Sequence, residues 1–250
     1  MTTFRSIVFS AVLAGLIVGL FVTAAQWVGT VPLILRAEVY ERQAELAAHI
    51  HPGMSTAAPA VHEHEVAAWE PADGFERTAY TALFNVVDWI GFGLLLNGAF
   101  VLLRRSVTWR EGFLWGLGGF LVFVIAPGLG LPPELPGIPA APLLPRQLWW
   151  VATVLATTLG LGLIAFRRSP AAAVVAILVI VAPQIFGAPQ LDHVETNVPD
   201  LLSRQFIVVA TLTSLPCWAL LGGLTGYFYR KFGAADDTIT SWQLRQRTPQ

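Results

Sequence analysis

The sequence predicts an all-α membrane protein: a polytopic helical bundle of about six transmembrane helices, five being the alternative count, with both termini cytoplasmic. Three observations carry this. Of 250 residues, 55% are hydrophobic and 12% charged, about half the roughly 25% charge of a soluble domain, and mean hydropathy is +0.62. Several apolar runs reach the ~20 residues that cross a ~30 Å hydrocarbon core. The charges between those runs are unevenly sided. The runs are continuous, whereas a β-barrel wall needs alternation, so a barrel is excluded.

The first span covers residues 7–29. A lone Arg5 precedes it and Val22-Thr23-Ala24 resembles a signal-peptidase site, but about 22 apolar residues exceed the h-region of a signal peptide, so we expect a retained anchor. Next, "RAEVYERQAELAA" (36–48) predicts a helix continuing that span into the aqueous space, broken by Pro52-Gly53. Further spans are expected at 80–103, 112–131, 147–166, 171–188 and 205–229. The run at 171–188 is short and holds Pro183, so a tilted or broken helix there would leave five spans. Six prolines between 132 and 145 stiffen one connection. Residues 1–232 thus form the bundle, with a loop at 30–79, and 233–250 a short cytoplasmic tail without fixed structure. The single cysteine, Cys217, lies inside the last span and reads as a small buried apolar residue.

Packing signals accompany the spans. Ala11, Gly15, Gly19 and Thr23 recur every four residues, and Gly112-x-x-x-Gly116 and Gly222-x-x-x-Gly226 repeat the device. Small residues let helix backbones approach where lipid removes any hydrophobic drive to associate.

Charge orients the bundle. With six spans, the termini and the loops at 104–111 and 167–170 share one side, holding ten basic and three acidic residues, a net +7. The other side holds five basic and twelve acidic residues, a net −7. Basic residues stay cytoplasmic in short loops, so the termini are inside and all five histidines face outward.

Four of those histidines crowd into sixteen residues as two pairs, His49-x-His51 and His62-x-His64, with Met54 between them. On a helix, residues two apart point about 200° from each other; on an extended strand they share a face. Beyond the helix break, each pair is therefore able to hold one metal. Imidazole suits cobalt, nickel, copper, zinc and iron, and Met54 adds a soft thioether. Capture needs deprotonated imidazole, so it weakens below the free histidine pKa of about 6.5. The alternative is a polar loop with incidental histidines.

Inside the bundle, oxygen and nitrogen ligands for a transported ion are Asn85, Asp88 and Asn97 of the second span, with Gln26, Gln147, Gln184 and Gln205 near helix ends. Asp88 stands out, because a carboxylate within a span normally faces the bundle interior or a water-filled path. The plainer reading is a hydrogen bond to a neighbouring helix. His193 in "LDHVETNVPD" and Glu134 in the proline-rich connection are possible loop ligands; Glu134 reads more simply as the ion-pair partner of Arg146.

No enzyme motif competes. "HEHE" at 62–65 lacks H-E-x-x-H spacing, and no phosphate-binding loop appears. Basic residues sit at helix ends and do not form a nucleic-acid footprint.

"AWEPADGFERTAYTALFNVVDWIGFGLLL" (68–96), "GLGLPPELPGIPAAPLLPRQLWW" (128–150), "APQ" (188–190), and "VPDLLSRQF" (198–206) followed by "WALLGGLTGY" together resemble the CbtA family of predicted cobalt transporter subunits. The resemblance runs in order along essentially the whole chain. It implies about five spans, cobalt(II) uptake in a cobalamin context, and a small histidine-containing membrane subunit as partner. It assigns no ligand residue. The expected protein is a multi-pass transporter subunit of the bacterial inner membrane importing a divalent transition metal, Co²⁺ first, as cargo, with no tightly bound cofactor; its expected partners are the ion, the bilayer and that small subunit, and not nucleic acid. A membrane receptor presenting metal to another transporter is the alternative reading, and a histidine-metal membrane enzyme a third.

Overall fold

The computed structural model describes residues 2–50, 71–103, 107–167, 169–191 and 196–246. Every regular element among them is helical: α1 (Thr2–Val28), α2 (Val31–Ile50), α3 (Phe75–Leu102), α4 (Trp109–Phe120), a π-helical turn (Leu121–Ile125), α5 (Ala126–Gly128), α6 (Leu143–Phe166), α7 (Pro170–Phe186) and α8 (Asp200–Gln246). The all-α expectation holds.

Among the described residues, five stretches are long and apolar enough to cross a membrane: Phe4–Val28, Phe75–Leu102, Trp109–Gly128, Leu143–Phe166 and Asp200–Gly233. The sixth apolar run forms the shorter α7, whose 17 residues rise about 26 Å. Ser169 caps its start by accepting from Ala172 N, Pro170 pre-sets its first turn, and Gly187 at φ 80° ends it. It runs antiparallel to α6. Trp149 Nε1, near the start of α6, donates to Pro183 O near the end of α7 at 3.0 Å, and Gly160 admits Ile180 farther along.

Boundaries differ from the hydropathy reading where polar residues join a helix. α3 starts five residues early, after Gly74 takes φ 96°. α2 begins at Val31 and continues past Ala48 to Ile50. α8 runs on through residues 233–246, where the sequence predicts no fixed structure. Neither glycine nor proline follows Gly233 until Pro249, so nothing local stops it.

The helices meet as the glycine spacing predicts, with partners that spacing alone does not name. Gly15 and Gly19 of α1 lie against the backbones of Ile90 and Val86 of α3, and Ala11 sits over Gly93. The two G-x-x-x-G motifs pack on each other: Gly112 lies on Gly222, Gly116 on Trp218, and Gly226 on Thr108. A capping box of Thr108 with Glu111 starts α4 beside that contact. The Phe9 and Phe232 rings stand 6.3 Å apart, so the start of α1 and the membrane-proximal end of α8 share one end of the bundle, the terminal end. The opposite, loop end carries a second apolar cluster of Leu33, Ala37, Leu135, Val198, Leu202 and Phe206. There Gly137, at φ 78°, offers its carbonyl to Thr196 Oγ1 at 2.8 Å. The main core, with Ala14, Val18, Trp89, Phe100, Trp218 and Leu221, fills the middle.

Candidate functional site

Near the loop end, α1, α2, α3 and α8 stand apart around a cavity of about 590 Å³. Gln26 and Thr30 line it from the α1 end, Thr81 and Asn85 from α3, and Thr213 and Ser214 from α8. Their hydrogen bonds leave hydroxyl and Asn85 oxygen lone pairs available, beside the Gln26 amide N–H group and the Thr213 hydroxyl, which have no partner among the described residues. Thr30, Thr81 and Ser214 each donate their hydroxyl proton to the carbonyl four residues back, at 3.4, 2.8 and 2.9 Å. Asn85 Nδ2 donates to both Thr23 Oγ1 (3.0 Å) and Gln26 Oε1 (2.8 Å), so its remaining hydrogen-bonding group is the carbonyl oxygen. An acceptor surface of this kind suits a hydrated cation.

Arg77 also lines the cavity. Its guanidinium is held by Glu38 of α2 and by Asp73, the latter at 3.4 Å, so the trio carries one net negative charge. Arg42 approaches Glu38 at 3.9 Å from an exposed position.

Below the cavity the same helices close. Val22, which lines it, is buried, as are Val18, Trp89, Trp218 and Leu221. Trp218 stacks on Phe123 at 5.4 Å and meets Phe92 at 4.8 Å. Past this apolar layer lies a second polar group. Ser10 Oγ donates to Thr225 O at 3.1 Å. Asn97, fully buried, donates through Nδ2 to Ile7 O at 3.4 Å, while its Oδ1 has no hydrogen-bond partner among the described residues. A buried carbonyl left unpaired costs about 1–3 kcal/mol. Asn85 and Asn97 are twelve residues apart on α3, about 18 Å along the axis.

The other sequence candidates fall elsewhere. Asp88 is exposed on α3, outside the cavity. α3 buries Trp89, Gly93, Asn97 and Phe100, and each residue turns 100° from the last, so Asp88 clears that face while Asn85 stays at its edge. The expectation that Asp88 faces the interior of this bundle is therefore corrected. At the midpoint of a span, an uncovered carboxylate costs about 2.5–3.5 kcal/mol on insertion scales. Gln147 and Gln205 are likewise exposed. Gln184 Nε2 donates to Ala126 O at 2.8 Å, tying α7 to α5. Glu134 pairs with Arg146 at 2.9 Å.

His51, His62, His64 and His193 lie outside the described residues, and of His49 only the helical backbone, on the last turn of α2, is described. Among the described residues no three His, Cys, Asp or Glu gather to hold a metal. Ser10, Thr213, Ser214 and Thr225 were not singled out from sequence. A signal existed: Ser214 and Thr225 are eleven residues apart, just over three whole turns, and so share a face of α8.

Residues 4–230 match the family model described as "Probable cobalt transporter subunit (CbtA)". No curated protein and no solved structure matches the chain.

Proposed function

The chain belongs to the CbtA family of probable cobalt transporter subunits, and from that premise we propose that it carries a divalent transition-metal ion, cobalt(II), from the loop end to the terminal end along the seam of α1, α3 and α8. The observation that carries this reading is the pair of polar stations on those helices: an oxygen-lined cavity above, and Asn97 with its unpartnered Oδ1 below. The apolar layer between them keeps the path shut from the terminal side. A cation entering the cavity keeps most of its hydration and exchanges outer water for Asn85 and hydroxyl oxygens. Weak oxygen ligation of this kind lets an ion leave again, as transit requires.

The surrounding assignments belong to the same proposal. The loop end faces out of a bacterial inner membrane and both termini face the cytoplasm, supported by the +7 against −7 charge asymmetry. The pairs His49/His51 and His62/His64 capture scarce metal and pass it to the cavity, and the cargo feeds cobalamin synthesis. The chain has no phosphate-binding loop, so the driving force is a membrane gradient or a partner, for which a small histidine-containing membrane subunit is the candidate.

The test uses the purified chain in proteoliposomes, with and without that subunit. Asn97→Leu keeps the branched shape of the side chain and removes the lower oxygen. It should abolish cobalt(II) uptake while leaving cobalt(II) binding from the loop side within about twofold of the parent. Parental uptake by Asn97→Leu sinks the seam as the path. Binding without transport under every condition makes the chain a receptor.

A further inference from the structure

α3 presents an unused helix-packing seam. Phe84, Asp88, Gly91, Leu95, Gly98 and Leu102 follow one another at steps of four and three, the spacing with which one helix seats its knobs in the holes of another. None of the six is buried by this chain. Phe84 is 66% exposed, Leu95 60% and Leu102 85%, and a Cβ added at Gly91 or Gly98 would meet open space. Asp88 sits in the middle of that seam, exposed, with no hydrogen-bond or ion-pair partner among the described residues. Thirteen residues of α3 precede it and fourteen follow, so either helix end lies about 20 Å away. A short aspartate side chain does not reach water from there.

We propose that this seam docks a transmembrane helix of a different chain, one carrying a cationic or N–H donor side chain (Lys, Arg or His) at its mid-depth to meet Asp88. Charge selects the occupant. A second copy of α3 would bring Asp88 against Asp88 in either orientation, because Asp88 is at the midpoint, and like carboxylates repel in a low dielectric. A wholly apolar helix would leave the carboxylate without a partner. The glycines at 91 and 98 give the incoming backbone room for close approach, and Phe84, shared with the cavity wall, places the docked helix beside the ion's entrance. The proposal rests on the transport reading only for the purpose of the partner; the docking itself needs neither metal nor transport.

Labelled model peptides test it: a leucine-rich transmembrane helix with a central Lys, a central His, a central Asp, or leucine throughout. Each is reconstituted with the full chain, and association is read by energy transfer. The Lys and His peptides should bind roughly five- to thirtyfold more tightly than the all-Leu peptide, the range expected of one intramembrane hydrogen bond, and the Asp peptide no better than the all-Leu one. Asp88→Leu should erase the preference and unfold at no lower temperature than the parent, since Asp88 has no partner to lose. Gly91→Leu should weaken all four peptides. Equal binding of Lys and Leu peptides, or a preference surviving in Asp88→Leu, overturns the proposal. Self-association of the chain that competes with every peptide overturns it in favour of a second copy. Cobalt(II) uptake enters none of these readouts, so failure here leaves the transport reading standing, and failure of transport leaves the docking result intact.

Discussion

The two ends of this bundle are built from the same helices on opposite terms. At the terminal end α4 and α8 touch backbone to backbone through Gly112, Gly222 and Gly226, and the polar groups there, Ser10, Asn97 and Thr225, are fully buried. At the loop end α1, α3 and α8 part around about 590 Å³. There Tyr80 and Phe84, in the first half of α3, and Phe206 of α8 are among the residues that line the gap. At the seal glycines let two backbones meet, while the vestibule is lined by larger polar, aliphatic and aromatic side chains. Polarity is present at both ends, lining a cavity at one and fully buried at the other.

The comparison breaks most completely at the seal. A side chain at Gly112 or Gly222 would run into the opposing backbone, which has no rotamer to change. Gly222→Leu should therefore cost more than the 1–3 kcal/mol typical of overpacking and yield no monodisperse protein in detergent chromatography. Gly162→Ala, where a Cβ meets open space, should elute and melt like the parent. If Gly222→Leu folds normally, the glycine contact is not what closes the terminal end.

All-or-none labelling then sharpens which end faces which compartment. In a Cys217→Ala background, Ser55→Cys should react with an impermeant maleimide from outside intact cells, and Ala234→Cys only after lysis. Reaction of both from outside removes the common-side arrangement of the termini and, with it, the direction proposed for the ion.

The smallest effect concerns the histidine loop. Replacing His49, His51, His62 and His64 together by alanine should reduce uptake several-fold at scarce cobalt(II) and leave it nearly unchanged at saturation. In the parent, the scarce-metal advantage should fade as pH drops through about 6.5. Identical concentration curves for parent and variant make these histidines incidental, and loss at every concentration moves them into the path.

Much of the fold was legible because hydropathy and small-residue spacing are local. Six apolar runs, the helical start of the loop and the packing faces of α1, α4 and α8 follow from them. Which glycine meets which is a tertiary fact that no single run contains. The candidate site was legible in part. Asn85 and Gln26 were named, and they meet at 2.8 Å. Asp88 was expected inside, because charge within a span argues for an interior without saying whose interior, and α3 turns it away from this one. Ser10 and Thr225 passed unremarked, since a lone hydroxyl leaves the hydropathy of an apolar helix almost unchanged, and the bond from Ser10 to Thr225 O is a tertiary one.

α7 and α3 ask different things of the lipid. The apolar part of α3, from residue 80 to its end at 102, is about 35 Å long and α7 about 26 Å, against a hydrocarbon slab of ~30 Å. Around α3 the acyl chains must stretch or the helix must lean; around α7 they must compress. Mismatch costs a fraction of a kcal/mol per Å, so the protein imposes a thickness gradient on its own annulus. The α7 flank therefore favours shorter acyl chains, and the α3 flank, which also carries Asp88, favours longer ones or a leaning helix.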